Sequence, residues 1–480
     1  MKKIQLIIGC ILGLCIAACT EDKGNYDYTP LNDLVIQGIE GEYVVEQFSS
    51  LKIPVTIDAK GDFPEERYEY LWYIWQVNSV LTPDTLSGKK DLDVEIKSAT
   101  GEYRMRYVVT DKETGVFYST QANLTIVNSY SKGLMALSEV EGNANVTFIN
   151  VINTVTEDVY YKMNGEVAGK SPRGIFYTGE NENTKALVVI STADRSRVVE
   201  PADFSYLMDF SEMFYFAPEP CVMECLCKSN SGDVEYVIIN GKTYRRHLVS
   251  AENMFLKYDP QLKGDYEVAP FSMCESNEPF FYDQKNKRFV HAEDGFMGNI
   301  EAGTGAFNPS AMEATMVYGI AYGDDVRAVM EDGDGQRFII AAQKKRVFNF
   351  EPSFSIHYQV IPVRKVEADR TVAEATCFAV SSKDVDFLYC ACRDKVVCVS
   401  TVTGNILATY DGFADGCTVD YMEFDRSENP ERLYVGVSDG SVKAKSGSVY
   451  YLKMKSDGTL EEENHFSNVC GKVVDFEYKK

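Results

Sequence analysis

From Leu31 to about Asn128, apolar and polar residues alternate with a period of two, the signature of strands with one solvated face. Leu51, Ile53, Val55 and Ile57 form one such set, and Tyr68, Tyr70, Trp72 and Ile74 another. Leu92 to Ile96, Tyr103 to Val109 and Ala122 to Ile126 continue the series, with a turn at 111–115. Roughly six or seven short strands in a hundred residues predict an immunoglobulin-like β-sandwich over 31–128, without the cysteines of an immunoglobulin disulfide.

A different pattern fills 131–480. Leu388, Tyr389 and Asp394 recur as Leu433, Tyr434 and Asp439, an offset of 45. Each copy runs into a second apolar strand and a turn holding Gly404 or Gly458, then into Val419-Asp420-Tyr421 or Val474-Asp475-Phe476. Weaker copies place strand starts near Met135, Lys185, Glu235, Arg288, Arg337, Asp386 and Arg432, spaced by 46 to 53 residues. Repeats of that length with several strands each predict a β-propeller, and seven starts predict seven blades. The last strand, Val473 to Tyr478, follows the final repeat and is expected to pair near Met135, since an open sheet edge invites aggregation. The fold class expected is therefore all-β, a sandwich followed by a seven-bladed propeller.

The N-terminus reads as a processing signal. Lys2 and Lys3 precede an apolar stretch, Ile4 to Leu14, too short to span a bilayer. It closes in Ile16-Ala17-Ala18-Cys19, which resembles the lipobox of bacterial lipoproteins. The resemblance implies that residues 1–18 are removed and Cys19 is acylated, leaving polar residues 19–30 as a tether. No other apolar run reaches spanning length, so the expected state is lipid-anchored rather than membrane-crossing. Thr20-Glu21-Asp22-Lys23 resembles the acidic signal by which some Gram-negative bacteria display lipoproteins on the outer face of the outer membrane.

Tyr70-Leu71-Trp72-Tyr73, Tyr107-Val108-Val109-Thr110-Asp111 and the opening Cys19 to Tyr28 together resemble the PKD-like family of bacterial surface lipoproteins. The resemblance implies an accessory role in a starch-utilisation-type uptake system. The partners would be a TonB-dependent outer-membrane transporter and its partner lipoprotein.

Charge and chemistry narrow the function. The chain carries 48 basic against 72 acidic side chains, a net −24, which repels a phosphate backbone and argues against nucleic acid as partner. Four histidines, His247, His291, His357 and His465, fall in no HxxxH or HExxH spacing. There is no P-loop. Asp332-Gly333-Asp334-Gly335 lacks the acids that would complete a calcium loop and reads as a hairpin turn. Cys221, Cys225 and Cys227 lack paired zinc spacing, and the ten cysteines beyond the tether read mainly as buried free thiols. No catalytic residue, metal set or cofactor is assigned, which favours binding over catalysis. A surface hydrolase or lyase acting on polysaccharide or peptide is the alternative, since 72 acids contain many candidate carboxylate pairs.

Two segments are candidate ligand surface. Apolar positions 206, 207, 210, 213 and 214 suit a short amphipathic helix, with Tyr206 and Phe214 as platform residues. Arg245 and Arg246 form a cationic pair in an acidic chain, able in principle to clamp an anion.

Overall fold

The computed structural model describes residues 33–480 apart from 48, 62, 78–82, 99, 180–183, 229–232, 249–256, 274–278, 294, 303, 352–354 and 427–428. The leader, Cys19, the tether and Cys274 lie outside the described residues. The chain divides into two compact units between Ile126 and Val127, close to the boundary expected at 128. Both are all-β, and among the described residues no helix is long and apolar enough to cross a membrane.

The first unit centres on a five-stranded sheet in the order Glu42–Glu46, Phe117–Val127, Gly101–Asp111, Tyr68–Gln76 and Asp84–Ser87. Two two-stranded sheets, Leu34–Gln37 with Thr56–Ala59 and Ser50–Ile53 with Leu92–Glu95, enclose the same apolar core. The alternation explains the arrangement, because Trp72, Ile74, Met105, Tyr107 and Leu124 all point inward at period two. Trp72 is fully buried opposite its cross-strand partner Tyr107, ring centroids 4.3 Å apart, and its indole N–H donates to the Lys89 carbonyl at 3.0 Å. The polar end of a large aromatic is thereby satisfied while its body fills the core.

The second unit holds seven sheets among the described residues. The first and last strands of this unit meet in the first: Lys472–Lys479 pairs antiparallel with Gly133–Val140, which continues to Asn143–Asn150 and Val155–Thr156. The pairing expected of the last strand is thus present. Pro172–Tyr177, Val188–Thr192, Ser196–Val199 and Tyr206–Asp209 form the second sheet. Cys225–Lys228, Val234–Ile239 and Lys242–His247 form the third, and Phe280–Asp283, Arg288–Ala292 and Met297–Asn299 the fourth. The fifth runs from Ala314–Tyr322 through Asp325–Asp332 and Arg337–Asn349 to Ser355–Glu367 and Glu301–Ala302. The sixth begins at Phe378–Val380 and the seventh at Thr418–Phe424. Leading strands contact one another from sheet to sheet: Phe378–Val380 touches Thr418–Phe424, which touches Lys472–Lys479, which touches Pro172–Tyr177.

Each of the seven expected starts falls at a strand of a different sheet, at the second strand in five of them. Arg288 and Arg337 fall one strand later. In the fourth sheet Val268 already bridges to Asp283, and in the fifth Ala314–Tyr322 and Asp325–Asp332 come first. Strands buried on both faces are apolar throughout, so period locates a strand without ranking it within its sheet.

The helix expected over 206–214 is instead a strand followed by one 3₁₀ turn, Phe210–Met213. Tyr206–Asp209 pairs with the open edge of Ser196–Val199, and a single tight turn suffices to bury Phe210 and Met213 at a spacing of three. Asp332 to Gly335 is the expected hairpin turn, with Asp332 Oδ1 accepting from the amides of Asp334 and Gln336 and Gly335 at φ +77°.

Val473 and Phe476 anchor the terminal strand in a core with Leu134, Ala136 and Tyr434. Gly436 makes room for it, since a Cβ there would lie 2.4 Å from that of Val473. Each buried side chain contributes about 1.5–3 kcal/mol. Deleting residues 471–480, or replacing Gly436 by Val, should therefore lower the melting temperature of the second unit. Differential scanning calorimetry of the full chain should show this transition shifted while that of the first unit stays in place.

Candidate functional site

Leading strands have a free edge, and side chains from neighbouring sheets occupy it. Pro172–Tyr177 pairs only with Val188–Thr192, so alternate N–H and C=O groups on its other side need partners. The Ile175 N–H donates to Asp475 Oδ2 at 2.9 Å. Glu477 accepts from the Tyr177 N–H, and Lys228 Nζ donates to the Tyr177 carbonyl at 2.6 Å. One sheet earlier, Asp420 accepts from the Val473 N–H on the free edge of the terminal strand. The Tyr322 hydroxyl donates to the Val380 carbonyl at 2.8 Å in the same manner.

This edge-capping draws acids together. Glu423, Asp475 and Glu477 are half-buried and act electrostatically on one another. The Tyr421 hydroxyl lies in hydrogen-bond contact with both Asp475 and Glu423. Arg426 sits 3.0 Å from Glu423, and Lys228 acts on Glu423 and Glu477. The groups acting most strongly on Asp475 are Glu423, the Ile175 N–H, Glu477 and Tyr421, none of them a cation. Burial and the Glu423 charge push Asp475 well above the usual carboxylate range, and burial with Glu477 pushes Glu423 up despite Arg426. Burial raises Asp420 to about 6. A cavity of about 30 Å³ adjoins the cluster, lined in part by Tyr318, Tyr322, Phe378, Tyr421, Glu423 and Arg426. Chemically, the arrangement can hold and release a proton near neutral pH.

The residues singled out from sequence lie elsewhere. Arg245 and Arg246 point to opposite faces of Lys242–His247, as neighbours on a strand must. Arg246 is fully buried, its Nη2 2.6 Å from Glu235 Oε1 and its guanidinium 5.2 Å from the Tyr258 ring centroid. Arg245 is 3.4 Å from Asp259. The two therefore do not form one anion clamp, and Arg246 does not reach solvent. Phe214 is buried too and stacks on Tyr258 at 4.9 Å, so Phe214 and Arg246 meet through that one ring. Tyr206 stands apart, 39% exposed, with its ring 4.9 Å from the Arg197 guanidinium.

The histidines sit in four different sheets. Among the described residues no three His, Cys, Asp or Glu side chains are grouped to hold a metal ion. The nine described cysteines beyond the tether are free thiols, and Cys225 and Cys227 lie side by side with Sγ atoms 3.9 Å apart. Sequence reasoning had passed over Glu423 and Glu477. It noted Asp420 and Asp475 only as echoes within a repeat, although a charged residue amid an apolar strand was the available signal.

Residues 19–172 match the model of the PKD-like family, a span that covers the first unit from residue 19 and continues through the opening hairpin of the second. Among solved structures the chain is similar to a quinonprotein alcohol dehydrogenase-like protein from Bacteroides thetaiotaomicron. That pair shares 14% identity over 92% of this chain and 96% of the other, with a TM-score of 0.37. It is also similar to Hsv2p from Kluyveromyces lactis, at 10% identity over 70% of this chain and 98% of the other, with a TM-score of 0.36. A comparison with curated proteins found no match.

The Arg246–Glu235 pair makes a stability prediction. Removing Arg246 alone (R246M) leaves the buried Glu235 carboxylate without its cation, held by the Tyr258 hydroxyl and the Gly179 N–H, and should cost about 3–5 kcal/mol, whereas R246M with E235L should cost less. Urea unfolding of the two variants checks the order.

Proposed function

We propose that the chain is a lipid-anchored protein of the outer-membrane surface that binds a nutrient ligand for a TonB-dependent importer and its partner lipoprotein. The observation that carries this reading is the coincidence of two signals at one residue. The PKD-like match opens at residue 19, and the small residues before Cys19 mark the same position as the start of the mature chain. In this reading the seven sheets are blades of a β-propeller that the terminal strand closes, and the PKD-like unit is a spacer between lipid and ligand face. A broad face around a central opening suits capture of an extended molecule.

A second reading, hydrolysis or elimination on polysaccharide or peptide before import, draws on Asp475 and Glu423. A carboxylic acid that keeps its proton beside an ionisable neighbour is the arrangement of a general acid and its partner. Fold alone carries no argument for activity.

Metabolic labelling with palmitate should mark the wild type and leave Cys19→Ala unlabelled and released from the membrane fraction; label persisting in the variant contradicts anchoring at Cys19. Calorimetric titration of the purified protein with glycans, peptides and siderophores should find a class that binds without turnover. Turnover abolished by Asp475→Asn with binding retained would select the second reading.

A further inference from the structure

We propose that the terminal strand, Lys472–Lys479, is a pH-sensitive clasp, seated on its neighbours while Asp475 or Glu423 carries a proton and loosened when both are ionised. The geometry is a count of charges at one junction. Three acids, Glu423, Asp475 and Glu477, meet where the strand Thr418–Phe424, the terminal strand and the edge of Pro172–Tyr177 converge. Two cations face them closely: Arg426, 3.0 Å from Glu423, and Lys228, bonded to the Tyr177 carbonyl. Tyr421 has one hydroxyl hydrogen for two carboxylates, Asp475 and Glu423. Asp475 accepts from the Ile175 N–H but has no cation among the groups that act on it most strongly, and a proton on the Asp475–Glu423 pair removes that uncompensated charge.

The other titratable groups packed around the junction do not supply the missing charge. Asp420 adds a fourth acid on the Thr418–Phe424 side, answered by Lys472. Lys480 acts on Glu477, more weakly than Lys228 and Arg426, and is not among the groups that act most strongly on Asp475. Tyr318 and Tyr322, from Ala314–Tyr322, are phenols directed to the Val380 backbone. Tyr478 faces the other side of the terminal strand, its ring parallel to that of Tyr434.

The position is what turns a titration into a clasp. Asp475 and Glu477 are the groups that bind the terminal strand to Ile175 and Tyr177, and the same strand joins the two ends of the second unit. Acids that hold their protons more tightly folded than unfolded stabilise the fold below about pH 4, and that contribution is lost as pH rises towards and past neutrality. Release of the proton puts two like charges on the Tyr421 hydroxyl, one on each of the two adjoining strands.

The test compares the full-length wild type with the D475N/E423Q variant, which keeps the shapes and the acceptor for Ile175. Between pH 5 and pH 8 the wild-type second transition should fall by about 5 °C relative to the variant. Parallel curves overturn the proposal. Should the variant not fold, amide exchange of the wild type decides: protection of 472–479, corrected for intrinsic rate, should drop at least tenfold from pH 5 to pH 8 while that of Arg432–Ser438 holds. Equal changes in both segments overturn the clasp.

Discussion

A strand paired on one side only still carries N–H and C=O groups on the other, and the second unit is built around answering them. Its leading strands cannot pair with one another as a continuous sheet, because each already belongs to its own. Side chains supply the partners instead: Asp420 for Val473, Asp475 for Ile175, Glu477 and Lys228 for Tyr177, Tyr322 for Val380. Each of these bonds crosses from one sheet to the next. They therefore do two jobs, satisfying an edge and fixing the spacing of neighbouring sheets.

That solution has an electrostatic cost. An N–H is best met by a carboxylate, and two free N–H groups on one edge bring two carboxylates to one strand face, two residues apart. Glu423 joins them from the preceding sheet. Arg426 and Lys228 relieve part of the repulsion, and burial with mutual repulsion keeps protons on the rest. The first unit meets its polar demands differently. Trp72 hands its N–H to a carbonyl, and the strands around it share one large sheet with two short strands at its edges. Its Arg67–Asp111 pair holds Asp111 well below the usual carboxylate range, the opposite sense to Asp475.

Which features could be read in the amino-acid order follows from the same contrast. In the first unit one face of most strands meets water, so Tyr68 to Ile74 and Tyr103 to Val109 alternate visibly and the core residues are named by parity alone. In the second, strands such as Val188–Thr192 are buried on both faces, and the alternation disappears. What survives is recurrence: Leu388-Tyr389 and Leu433-Tyr434 occupy matching second strands, with both tyrosines fully buried. Recurrence marks one strand per sheet but not its rank, which is why Arg288 and Arg337 fall one strand late. The carboxylate junction was out of reach, because it joins residues from positions 175, 228, 423 and 475 and depends on which edge faces which. Arg245 and Arg246 misled for a simpler reason: adjacent residues on a strand look like a pair in sequence and face apart in space.

The central claim is that carboxylates take the place of a neighbouring strand along the free edge of Pro172–Tyr177. Site-resolved hydrogen exchange of the Ile175 and Tyr177 amides tests it most directly. If Asp475 and Glu477 hold these groups, both amides exchange about as slowly at pH 5 as those of the doubly paired strand Val188–Thr192. Exchange at the rate of an open sheet edge would contradict the account.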